Sequence, residues 1–137
     1  MDWKECLNKR IIKDVSKDEF LIKSLLNSSQ KKLESETRLE LDDTTAESKV
    51  SLAYDSLREL LEALALLKGY KVYNHDCYTA FLKEVLNESA KGDEFDAIRK
   101  IRNSVNYYGK ELSAEEGKIV IEKIKVLRSF VYNLLKK

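Results

Sequence analysis

The chain has 137 residues, 43% hydrophobic and 36% charged, with no proline and only four glycines. That apolar content supports a packed core, and the scarcity of turn residues excludes a β-sandwich, a Gly-rich dinucleotide loop and a collagen-like repeat. Lys and Arg number 25 against 24 Asp and Glu, a formal net charge of +1, so a globally basic nucleic-acid binder is excluded and only a local patch is left.

The pieces all read with helical period. Trp3, Leu7, Ile11 and Val15 recur every fourth residue and predict a short amphipathic helix. Ser16 and Glu19 have capping-box spacing and open a second helix with Phe20, Leu21, Ile22, Leu25, Leu26 and Leu33 as its stripe. It fades near Leu39 to Asp43. Thr44 to Glu47 is another capping-box candidate. The third helix is the clearest: Val50, Ala53 or Tyr54, Leu57, Leu60 or Leu61, Leu64 and Leu67 form one stripe. Leu61 to Leu67 is apolar nearly all round, which places this helix at the centre of a bundle. Gly69 stops it.

Tyr70 to Asn74 reads as a connector. A fourth helix carries Tyr78, Phe81, Leu82, Val85 and Leu86 and ends near Gly92. Asp93 caps a fifth, with Phe95, Ile98, Ile101 and Val105, that stops at Gly109. Ser113 to Glu116 caps the last, where Val120, Ile124, Leu127, Val131 and Leu134 alternate at four and three. The fold expected is an all-α, up-and-down bundle of four to five main helices with a short extra N-terminal helix, as one domain over residues 1–137.

Cys6 and Cys77 lie far apart and form no CxxC pair, so neither a disulfide framework nor a zinc site is expected. Both read as small core or half-exposed residues. The one histidine, His75, offers no cluster for a metal, and no metal or cofactor is expected. No apolar run reaches the roughly 18–20 residues needed to span a bilayer, and the N-terminus has no signal-like core, so the expected location is cytoplasmic, away from membranes. Paired acids such as Asp42-Asp43 and Glu115-Glu116 suit helix N-termini. Trp3 is expected to pack the N-terminal helix on the bundle, and Tyr54 and Tyr78 to lie in the core with their hydroxyls reaching a polar partner.

One segment stands apart, Arg99 to Lys110. On a helix Arg102 and Asn106 share a face, flanked by Asn103 and Tyr107, next to the apolar stripe of Ile98, Ile101 and Val105. Polar side chains bordering a core are costly unless paired, so a partly buried polar site is expected there. Arg99, Arg102 and Lys110 supply cations, and Tyr107 and Tyr108 supply aromatic faces. Cations beside aromatics suit phosphate contacts with base stacking. The alternative is structural: an Arg and two Asn tying helix ends, with tyrosines at a subunit contact.

In two stretches the chain resembles the HEPN family (higher eukaryotes and prokaryotes nucleotide-binding). Ser51 to Lys71 is similar to that family's central helix, with His75 where many members have a His or Ser opening the next helix. Arg102-Asn103 with Tyr107 is similar to its motif of Arg, often followed by Asn, and a His a few residues on. The resemblance covers Asp18 to the C-terminus and leaves out Trp3 to Val15. It implies a helical bundle, usually a homodimer whose motif helices face each other. In many members Arg and His of both subunits form a metal-independent endoribonuclease site. Many are toxins paired with a small nucleotidyltransferase antitoxin, which in some adenylylates a Tyr near the motif; others bind RNA or nucleotides without cleaving.

The chain departs from the motif at Tyr107. Histidine titrates near pH 6.5 and shuttles protons at neutral pH, whereas tyrosine near 10 is a poor base. Tyr107 still offers a hydrogen bond, and Arg102 still suits a pentavalent phosphate. The leading expectation is an RNA- or nucleotide-binding protein of toxin or defence type. In it Arg102 touches phosphate, Asn103 and Asn106 orient it, Tyr107 stacks or donates, and Arg99 and Lys110 extend the rim. Tyr108 and Tyr107 are the modification candidates. The alternatives are an active endoribonuclease using Arg102 and Tyr107, and a non-catalytic dimerisation module.

Overall fold

The computed structural model describes residues 1–137 and is an all-α bundle with one small two-stranded antiparallel sheet. Helix α1 (Trp3–Asn8) leads to strand β1 (Ile12–Asp14) and then to α2 (Glu19–Arg38) and α3 (Ala46–Leu67). Strand β2 (Tyr70–Val72) precedes α4 (Asp76–Ala80), which widens into a π-helical turn over Phe81–Val85. Helices α5 (Ser89–Tyr108) and α6 (Ala114–Leu135) complete the chain. No helix is long and apolar enough to cross a membrane.

Helix α3 is the axis. Leu57, Leu60, Leu61 and Leu64 are fully or almost fully buried, and α3 packs most extensively on α2 and α6. Gly69 ends it at φ +93°, a conformation that costs other residues strain. In α6, Val120, Ile124, Leu127 and Val131 are buried along the expected seam. Its N-terminus carries the expected capping box: Ser113 Oγ accepts from Glu116 N at 3.2 Å and Glu116 Oε1 accepts from Ser113 N at 3.1 Å.

Several expectations are corrected. The predicted N-terminal helix stops at Asn8; Arg10 takes φ +58°, and Ile12 to Asp14 pairs antiparallel with Tyr70 to Val72. The connector after Gly69 is therefore a strand. Asp18, not Ser16, caps α2, its Oδ1 accepting from Leu21 N at 3.0 Å. Phe20, placed in the α2 stripe, is 82% exposed. Asp42 organises the start of α3 in place of a Thr44 box, accepting from Thr44 N and Thr45 N at 2.8 and 2.9 Å. Gly92 ends no helix. The break falls at Asn87, with φ +57°, and Gly92 is buried inside α5. A Cβ there would lie 2.5 Å from Lys83 Cγ and 3.0 Å from the Thr79 carbonyl, so the glycine permits close approach.

The cysteines are the largest correction. Cys6 of α1 and Cys77 of α4 are fully buried and joined by a disulfide, their Cα atoms 6.2 Å apart. Folding brings together residues 71 apart in the chain. Trp3 supports the same seam, as expected, packing edge-on to Tyr70 at 5.1 Å and against Phe81 at 5.9 Å.

Candidate functional site at the C-terminal half of α5

The site is built on an aromatic floor. Tyr54 of α3 is fully buried and stacks on Phe95 of α5, centroids 6.0 Å apart, while Tyr78 meets Phe95 edge-on at 6.2 Å. Arg102, two turns beyond Phe95, lays its guanidinium over the Tyr54 ring at 5.1 Å, a cation–π contact in a half-buried setting. Its only ionic partner is Asp55, at 3.7 Å. No hydrogen bond holds the head group, and the buried Nε has no partner.

Arg99 contrasts with it. One terminal nitrogen donates to Asp76 at 2.8 Å and the other to Asp96 at 2.8 Å. Burial raises the Asp96 pKa, but hydrogen bonds from Arg99 and Lys100 outweigh it and leave the carboxyl below its ordinary value. Arg99 thus docks α4 against α5, its charge paired with two carboxylates within the fold.

His75 enters the same pocket from the start of α4. Asn74 caps that turn, its Oδ1 accepting from Asp76 N at 2.9 Å, so the His75 ring is released from capping. Its Nδ1 lies 3.5 Å from the Tyr54 hydroxyl. Burial pushes the Tyr54 phenol up to about 12 against the pull of Arg102 and Arg99. For His75, burial first and then the charges of Arg58 and Arg102 hold the pKa below 6.5, with Asp55 and Glu62 opposing. The ring is neutral at neutral pH.

A cleft of about 260 Å³ collects Arg99, Arg102, Asn103 and Tyr107 of α5 with Asn74 and His75 opposite. Asn106, Tyr108 and Lys110 lie outside it, all exposed; Asn106 therefore does not border the core, because the last turn of α5 is turned to solvent while Arg102 to Val105 stay part-buried. Tyr107 and Tyr108 are 69% and 83% exposed. Sequence reasoning named His75 but did not join it to the motif; Tyr54 and Asp55 were missed as site residues. The one signal available was the place of His75 just ahead of the fourth helix, since the union depends on α4 folding back on α5.

The His75 shift predicts a pH dependence. The unfolded chain protonates this histidine near pH 6.5, the folded chain only at lower pH. Between those values the unfolded state binds more protons, so stability rises with pH. The contribution is complete above about pH 6.5 and is lost as pH falls toward the folded value. In urea melts between about pH 7 and about pH 5, the parent should lose more stability than His75→Asn. Parallel losses in both would mean that His75 titrates normally.

Comparisons with protein-family models, with characterised proteins and with solved structures found no match to this chain.

Proposed function

We propose that this all-α chain is a HEPN-like RNA- or nucleotide-binding protein of toxin or defence type, with its site in the α4–α5 cleft. The observation that carries this reading is the state of Arg102. Its charge lies at an open cleft, is held by ring stacking and faces one distant carboxylate, so a phosphate oxygen gains bidentate bonds there without displacing a strong partner. Asn103 orients the phosphate from the next position, and the exposed Tyr107 ring offers a base a stacking surface.

The ribonuclease version of this reading uses His75 rather than Tyr107 as base. With Nδ1–H donating to the Tyr54 oxygen, Nε2 keeps its lone pair, and a neutral imidazole is able to take the 2′-hydroxyl proton while Arg102 stabilises the charged phosphorane. Tyr107 then serves as hydrogen-bond donor to the phosphate or leaving oxygen.

A homodimer with facing α5 helices would bring Asn106, Tyr108 and Lys110 to the site from the partner. An apolar groove of about 450 Å³ between α5 and α6, lined by Ile98, Ile101, Ile119 and Val126, supports such pairing. Light scattering should then give twice the chain mass, and Val126→Lys should give a monomer. The exposed hydroxyls of Tyr107 and Tyr108 are accessible to a nucleotidyltransferase-type partner.

Binding is tested by anisotropy with a short labelled single-stranded RNA. Arg102→Ala should weaken it about 10- to 100-fold, the worth of a charged hydrogen-bonded contact. An unchanged affinity in that variant would sink the assignment. Cleavage measured in EDTA should be lost in His75→Asn and only reduced in Tyr107→Phe, which keeps the base and loses one hydrogen-bond donor; the reverse pattern returns the role of base to Tyr107.

A further inference from the structure

A second charged site lies where α2, α3 and α6 meet. Four charged side chains are buried: Glu36, Lys49, Glu59 and Arg128. Glu36 pairs with Lys49 and Lys125 at 3.9 and 3.2 Å, and Glu59 pairs with Lys32. Arg128, 8% exposed, has no carboxylate partner within ion-pair distance. A buried charge without a counter-ion is costly, and one reason to keep it is a ligand that supplies the missing charge.

The geometry shows which part of Arg128 is spoken for. Nε donates to Ser56 Oγ at 2.6 Å and Nη2 donates to Ser29 Oγ at 3.1 Å. The two serines are themselves locked, Ser29 Oγ donating to the Ser56 carbonyl at 2.7 Å and Ser56 Oγ to the Ser29 carbonyl at 3.0 Å. They hold the guanidinium by its side edge and contribute no charge. The end edge, Nη1 with the second proton of Nη2, donates to no protein atom, and Nη1 is open to solvent. That edge is the fork that matches two oxygens of one anion.

Arg128 lines a cleft of about 620 Å³ together with Phe20, Lys23, Asn27, Gln30 and Tyr132. No acidic residue lines it. Lys23 adds a second cation, and Lys136 sits over the Tyr132 ring at 4.7 Å. Phe20 is 82% exposed at its edge, a large ring left uncovered beside two charges.

We propose that this cleft is a binding site for a small organic phosphate, its phosphoryl group on the free edge of Arg128 and on Lys23, its flat body against Phe20 and Tyr132. A phosphomonoester is favoured over a carboxylate because its near-double negative charge at neutral pH matches two cations, and the exposed ring favours an aromatic body. The site shares no residue with the Arg102 cleft and does not depend on the function proposed for it.

The test is a titration of the full chain with AMP, inorganic phosphate and adenosine, followed by backbone amide NMR shifts. AMP should shift amides of α2 and α6 saturably, phosphate should do so more weakly, and adenosine should not. Lys23→Gln should weaken AMP and phosphate alike, by about tenfold for a lost charge-assisted contact. Phe20→Ala should weaken AMP and leave phosphate unchanged. Both positions are at the surface, so these variants fold even where Arg128→Met does not. Arg102→Ala should leave the shifts of the α2 and α6 amides unaltered, whatever AMP does at the α4–α5 cleft. The proposal is overturned if AMP and phosphate give no saturable shift at α2 and α6, if Lys23→Gln has no effect, or if Arg102→Ala abolishes the α2 and α6 shifts.

Discussion

Replacing Cys6 or Cys77 by serine should lower the unfolding free energy by about 4 kcal/mol, the chain-entropy value for a loop of this size. For a domain of this length that is a fall of roughly 10–20 °C in melting temperature. The bond closes a loop 71 residues apart in sequence, and opening it returns that freedom to the unfolded chain. In the fold it fastens α1 to α4, the helix that starts at Asp76 directly after His75. Thermal melts of the parent with and without reductant, beside Cys6→Ser, measure it. Reductant should bring the parent down to the variant and leave the variant unchanged. A parent that melts alike in both conditions would show that the pair contributes nothing. The bond also bears on location, because disulfides persist in oxidising compartments and are rare in the reducing cytosol. The cytoplasmic location expected from the sequence predicts two free thiols in a cell lysate trapped with alkylating agent, whereas the disulfide of the structure predicts a blocked pair. A blocked pair would assign the chain to an oxidising compartment.

Phe95→Ala should cost about 3–5 kcal/mol, the range for a fully buried phenylalanine cut to alanine. Phe95 is wholly inaccessible and touches both Tyr54 and Tyr78, so the change leaves a cavity and breaks two aromatic pairs. Its effect should reach the site. Tyr54 would lose the ring it stacks on, and Arg102 rests over that same Tyr54 ring. RNA affinity should therefore fall even in the fraction that stays folded. Phe95→Leu fills most of the space and should cost less on both measures. Urea melts give the stability, and anisotropy at a temperature where both variants are folded gives the coupling. A destabilised Phe95→Ala that bound RNA like the parent would separate the aromatic floor from the site.

The bundle was legible where local physics and burial agree. The stripe from Val50 to Leu67 and the seam from Val120 to Leu134 repeat at helical spacing because each faces the same core. Gly69 and Gly109 end helices through their left-handed backbone, at φ +93° and +68°. The N-terminal stretch misled, because Trp3, Leu7, Ile11 and Val15 keep helical spacing while the chain between them turns at Arg10 and enters a strand. That strand exists only because Tyr70 to Val72 lies beside it. Gly92 misled in the opposite sense. A glycine reads as a stop, but here it is the missing side chain that α5 needs to lie against Lys83 and Thr79.

The near-neutral composition, without proline and with glycine kept to four positions, determined a helical bundle and confined any anion site to local patches. It also determined the motif segment, since Arg99, Arg102, Asn103 and Tyr107 lie within three turns of one helix. The tertiary structure decided which cations are free. Asp76 and Asp96 claim Arg99, while Asp55 barely reaches Arg102, and the serines that hold Arg128 neutralise nothing. These partners come from other helices, and the energy of a buried charge depends on what stands within a few ångströms of it in space. The same reason covers Cys6 with Cys77 and His75 with Tyr54: each pair is distant along the chain, and only the packing of α1, α3 and α4 brings its members into contact.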